Sequence, residues 1–195
     1  MSLTNKRILV TGGAGFIGSH VCEKLLYYNP EKIVVADDFS LGKQRNIQKL
    51  SCDERVKLYV VDASQYDLMQ NLFKMEPIDV VFNLAVVPLP ASLEKPKNCI
   101  DKNILITSTL CELLYKDFYK SLIHISSSEA YGTSVYTNKP MDESHPTYPT
   151  TPYAASKLAC DHIALSYHNT FGLDVAIARP LMPMVQGKMN KAMPA

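Results

Sequence analysis

The sequence predicts an α/β fold, a doubly wound parallel sheet with helices on both faces. Three observations carry this. Short Val/Ile/Leu runs alternate with helical stretches along the chain, the pattern of strands buried on both sides. The first run passes straight into a glycine cluster and then a helical stretch, which marks a strand–turn–helix unit. The 195 residues, 47% apolar and 20% charged, have the balance of an ordinary globular domain.

The elements follow in order. Residues 6–11 form the first strand, and glycines lead from it into a helix reaching about Tyr28. Strands are predicted at 32–36, 57–61, 79–82, 120–125 and 174–179, each a short β-branched or aliphatic run. Helical patterns fall at about 43–50, 65–74, 97–117 and 152–171. The Pro-rich stretch 140–152, between a strand and a helix, is where a functional loop belongs. Residues 1–180 read as one domain. Residues 181–195, with two prolines and four methionines, have no strand or helix period and read as an irregular tail.

Global properties exclude several classes. Twenty Lys+Arg against 19 Asp+Glu leave a net charge of +1, so nothing points to nucleic acid or an anionic membrane. No apolar run approaches the ~20 residues of a membrane span. Five scattered cysteines, Cys22, Cys52, Cys99, Cys111 and Cys160, show no metal-ligand spacing. They imply free thiols in a reducing, cytoplasmic compartment. No metal site is expected.

Residues 11–18 read Thr-Gly-Gly-Ala-Gly-Phe-Ile-Gly. Glycines at this spacing turn the chain sharply, let backbone approach a pyrophosphate and allow close helix–strand packing. The helix N-terminus then offers free N–H groups and a positive dipole end. Gly12, Gly15, Phe16, Ile17 and Gly18 are therefore the expected phosphate loop. An acidic residue about 20 positions on should hold the adenosine ribose. Asp37, with Asp38 beside it, ends the second strand. A carboxylate there repels a 2′-phosphate, so NAD is expected over NADP.

Tyr153 and Lys157 lie four apart at the start of the last helix, on one helical face. An ammonium near a phenol favours the phenolate and lowers its pKa toward that of a working base. Ser126, Ser127, Ser128 and Glu129 follow the fifth strand, at the strand ends where ligands bind in such sheets. A serine there can bond the substrate oxygen whose proton Tyr153 removes. His124, inside the same strand, reads as a core residue.

Together these motifs resemble the extended short-chain dehydrogenase/reductase family, in particular its nucleotide-sugar epimerases and dehydratases, over residues 6–180. The resemblance implies a Rossmann-type domain and the catalytic set Ser127, Tyr153 and Lys157. It places Asp62-Ala63 against adenine, Leu84-Ala85 along the cofactor, and Asn103 at the family's helix asparagine. Ser128-Glu129 differs from the Asp-Glu pair of sugar 4,6-dehydratases and is closer to decarboxylase-like members. Glu129 would be the base of an elimination. Epimerase, dehydratase and decarboxylase readings all stand, as does a cofactor-binding protein with little turnover. A nucleotide-sugar substrate and a homodimer through helices 97–117 and 152–171 are implied. Family members run well beyond this length. The resemblance therefore implies that the C-terminal substrate-binding region is lacking, and that an apolar patch is exposed where it would dock.

Overall fold

Every strand expected from the sequence is present in the computed structural model, which describes residues 2–132 and 141–180. The strands are β1 (Arg7–Thr11), β2 (Lys32–Asp37), β3 (Val56–Val60), β4 (Val80–Asn83), β5 (Ser121–Ile125) and β6 (Asp174–Ala178). They form one sheet in the order β3-β2-β1-β4-β5-β6, and every pairing is parallel. The order reverses between β1 and β4. Loops leaving those two strands diverge and open a crevice at their carboxyl ends, the ligand site of a doubly wound sheet.

The helices are α1 (Phe16–Leu26), α2 (Gln44–Ile47), α3 (Tyr66–Met75), α4 (Leu89–Glu94), α5 (Pro96–Tyr115) and α6 (Pro152–Phe171). Strand alternation sorts the core into two layers. Leu9, Val34, Val81 and Leu122 face α3 and α5, meeting Phe73, Leu110 and Leu114. Ile8, Val10, Ile33 and Val35 face α1, meeting Cys22 and Leu25. Central strands have both faces covered, so they read as unbroken aliphatic runs.

Two local readings change. The 43–50 stretch is helical only at α2, followed by a 3₁₀ turn at Leu50–Cys52. Residues 89–94, outside every expected helix, form α4, which carries Ser92 and whose Pro90 in the first turn suits a helix start. The Ser92 hydroxyl donates to the Leu89 carbonyl at 2.7 Å. The expected irregular tail at 181–195 lies outside the described residues.

Candidate active site

Thr11 ends β1 and Gly12 turns the chain away at φ +67°. A Cβ on Gly12 would lie 2.7 Å from the Ala85 nitrogen, and one on Gly18 would lie 2.2 Å from the Gly12 carbonyl oxygen. Only glycine fits at these two places. The loop thereby lies directly against the backbone after β4. Gly15 caps α1 in an extended conformation with no side-chain cap bond. The first N–H groups of α1 thus have no side-chain partner at this end, an arrangement suited to an anion. Phe16 and Ile17 are exposed on the same turn.

The acidic residues are more committed than the sequence suggests. Asp37 is buried, and its Oδ2 accepts the Ala14 N–H at 2.9 Å while Oδ1 accepts the Phe39 N–H at 2.8 Å. It ties the glycine loop to the end of β2. Asp38 and Asp62 face each other across a lysine that sequence reasoning missed. Lys102 on α5 places Nζ 2.9 Å from Asp38 Oδ2 and 3.0 Å from Asp62 Oδ2. Burial pushes both carboxyls up. Bonds from Ser40 to Asp38, from Ser64 to Asp62, and from Lys102 to both outweigh it, leaving each below its ordinary value. A helix lysine one residue before Asn103 carries no sequence signal, because its partners come from two other strands.

Asn103 is also turned inward. Its side chain accepts the Val87 N–H at 2.7 Å and donates to the Ser156 hydroxyl at 2.9 Å. It fixes the segment carrying Leu84 and Ala85 rather than lining open space. Ala63 is buried in the main core.

Thr151 caps α6 by accepting the Ala154 N–H at 3.1 Å, with Pro152 beginning the helix. That start aims Tyr153 at the end of β5. Ser127 stands close enough to Tyr153 to oppose the rise of its pKa, and Ser127 Oγ accepts the Glu129 N–H at 3.2 Å. Lys157 is buried one turn on, but Nζ donates to the Ile125 carbonyl at 2.6 Å. The expected lowering of the tyrosine pKa is therefore not what this arrangement gives. Burial raises the Tyr153 phenol, Ser127 opposes that, and the Glu129 carboxylate adds to it. Burial likewise lowers the Lys157 ammonium. Beneath them, Asp161 Oδ2 accepts from Ser126 at 2.8 Å and from Arg179 Nε at 2.9 Å, and Arg179 covers the Tyr131 ring.

A glycine turn with free helix N–H groups on one side of the crevice, and a Ser–Tyr–Lys group on the other, is the geometry of a dinucleotide-dependent oxidoreduction site. The sequence model of the NAD dependent epimerase/dehydratase family matches residues 8–194. The chain belongs to this epimerase/dehydratase family. It is 34% identical over 188 residues to the dTDP-D-glucose 4,6-dehydratase of Dictyostelium discoideum, covering 89% of this chain and 43% of that protein. To a putative UDP-glucose 4-epimerase of Methanocaldococcus jannaschii it is 32% identical, covering 88% and 54%. The dTDP-glucose 4,6-dehydratase of Streptomyces venezuelae, solved with NAD bound, superposes with a TM-score of 0.82 at 31% identity, over 89% of this chain and 55% of that one. The chain spans about half the length of the curated relatives it matches. Residues 8–180 of this epimerase/dehydratase chain hold all the site residues the sequence singled out.

Proposed function

We propose that this chain carries the NAD-binding and catalytic groups of a nucleotide-sugar epimerase/dehydratase. The observation that carries the reading is the gathering of Ser127, Tyr153 and Lys157 at the end of β5, at the same sheet end as a glycine turn where a Cβ on Gly12 or Gly18 would collide with backbone. Loop residues Gly12, Gly15, Phe16, Ile17 and Gly18 offer the pyrophosphate their N–H groups. Asp37 and Asp38 receive the ribose hydroxyls on their remaining lone pairs, which favours NAD over NADP. Asp62 and Ala63 meet the adenine, while Leu84 and Ala85, held by Asn103, line the nicotinamide half.

Bound NAD supplies a hydride acceptor that later returns the hydride. The protein's own groups do the rest. Tyr153 takes the proton of a sugar hydroxyl, Ser127 orients that oxygen, and Lys157 stabilises the phenolate that forms. Glu129 faces Tyr153 closely enough to raise its pKa. As a second base it would serve an elimination, so the 4,6-dehydratase and decarboxylase readings stand beside 4-epimerisation.

Two further parts belong to this proposal. Leu105 and Tyr115 on α5, with Leu165 and Phe171 on α6, are exposed, and a homodimer through this helix pair would cover them. Four of five free thiols are buried, which suits a reducing, cytoplasmic compartment.

Calorimetry with NAD and NADP, followed by incubation with UDP- and dTDP-hexoses, tests the reading. NAD should bind more tightly than NADP. Tyr153→Phe should keep NAD binding and lose product formation. Tighter NADP binding, or turnover retained by the variant, would overturn it.

A further inference from the structure

Three carboxylates meet at the carboxyl ends of two neighbouring strands. Asp37 closes β2 with Asp38 next to it, and Asp62 follows β3. Asp37 is answered by the backbone N–H groups of Ala14 and Phe39. Asp38 and Asp62 are built alike. In each, Oδ1 accepts the N–H and the hydroxyl of the serine two residues on, Ser40 at 2.9 and 2.6 Å and Ser64 at 2.9 and 2.7 Å. These local turns occupy one oxygen and leave Oδ2 to meet another element. Both Oδ2 atoms meet the Lys102 ammonium, at 2.9 and 3.0 Å. The two oxygens therefore stand no more than about 6 Å apart, a separation at which unpaired carboxylates repel.

The place of this bridge sets it apart. Among the described residues, Lys6, Lys32, Lys57 and Lys120 pair at the amino ends of strands, and Lys97 and Lys116 pair along α5. Lys102 joins carboxyl ends, where the crevice opens. Its helix holds the Asp62 turn a second time, since Thr109 Oγ1 donates to the Ser64 carbonyl at 3.4 Å. The next residue, Asn103, bonds Val87 and Ser156 instead. Consecutive residues of α5 thus hold the β2–β3 side of the crevice and the β4–α6 side.

We propose that Lys102 is a positioning residue for the adenosine half of the cofactor, holding Asp38 and Asp62 together at the spacing their ligand contacts require. This rests on the reading that these two carboxylates receive the ribose and the adenine. Lysine and ligand are not rivals for them. Each Oδ2 has one bond from Lys102 and keeps a second lone pair for a ligand donor, and both aspartate side chains are 28% exposed, so that capacity is open to solvent. Without the ammonium, burial and mutual repulsion would both act against the charged pair. With it, both carboxyls stay below their ordinary value.

Lys102→Met keeps most of the stem and removes the charge. In calorimetry on the 195-residue chain it should weaken NAD at least about tenfold. ADP-ribose, which lacks the nicotinamide, should weaken by the same factor to within about twofold. In an Asp38→Asn, Asp62→Asn background no carboxylates remain to be held, and the loss from Lys102→Met should shrink below about threefold. Carboxyl-carbon NMR of the unliganded chain should show proton affinities of Asp38 and Asp62 at least about fivefold higher in Lys102→Met. A folded Lys102→Met chain with unchanged nucleotide affinity overturns the role. So does a loss seen with NAD and not ADP-ribose, a full loss in the neutral background, or carboxyls that do not move. A wild-type chain that binds neither nucleotide overturns the proposed function and this role with it; wild-type binding with any of the preceding results overturns the role alone.

Discussion

Asp37 does more than its place at the end of β2 implies, and its removal separates two roles. The carboxylate accepts two backbone N–H groups, from Ala14 and Phe39, at 2.9 and 2.8 Å, in a buried setting. Asp37→Ala leaves both donors without a partner. Each orphaned buried donor costs about 1–3 kcal/mol, so the variant should lose about 2–4 kcal/mol once some water reaches the gap. In a domain of this size that is a fall in Tm of about 4–16 °C. Urea unfolding followed by circular dichroism reads it as a lower midpoint with an unchanged slope. NAD affinity should fall as well, since the Ala14 N–H belongs to the glycine loop. A variant that loses NAD affinity but keeps its stability to within about 0.5 kcal/mol would refute the structural role and leave only the ribose contact.

Two more outcomes follow from the geometry. Burial pushes Glu76 upward, but bonds from Tyr59, Lys32 and Lys57 outweigh it and bring the carboxyl down to about 2. Its folded pKa is below its unfolded one, so its stabilisation is present above about pH 4.5 and lost as pH falls toward 2. Glu76→Gln should therefore lose about 2 kcal/mol at pH 7 and almost nothing near pH 2, by urea unfolding at the two pH values. An equal loss at both pH values would contradict the assignment. Gly18→Ala puts a Cβ 2.2 Å from the Gly12 carbonyl. It should weaken NAD binding by at least about tenfold by calorimetry, since backbone must shift; unchanged affinity would show that the loop tolerates the shift.

The strands were legible because parallel strands buried on both faces must be aliphatic throughout, and Ile8–Leu9–Val10 or Ile33–Val34–Val35 cannot be mistaken for a solvent-facing pattern. The glycine turn was legible for a related reason: Gly12 and Gly18 answer local backbone demands that sequence states directly. What sequence hid are side chains whose partners come from other elements. Lys102 reads as a solvated helix lysine, yet it bridges the ends of β2 and β3. Asp37 was read for the ribose and Asn103 as the family's helix asparagine; the backbone N–H groups that Asp37 accepts, and the bonds of Asn103 to Val87 and Ser156, come from other elements and left no mark in the sequence. α4 was missed because six residues with one proline carry no period.

His124 was read as core, and it is buried, but a histidine and an aspartate do not enter a core for their apolar content. Burying Thr11, Asn83, His124, Lys157 and Asp161 together costs stability unless each finds a partner. The sheet meets that demand by register. Thr11, Asn83 and His124 occupy matching positions at the ends of three parallel strands, just above rows of Leu and Val that supply the apolar burial. The same alignment that lets one polar group satisfy the next also brings the chain of bonds to Lys157. A slip of one residue in β5 would turn His124 away from Asn83 and Lys157 and put Ile123 or Ile125 in its place.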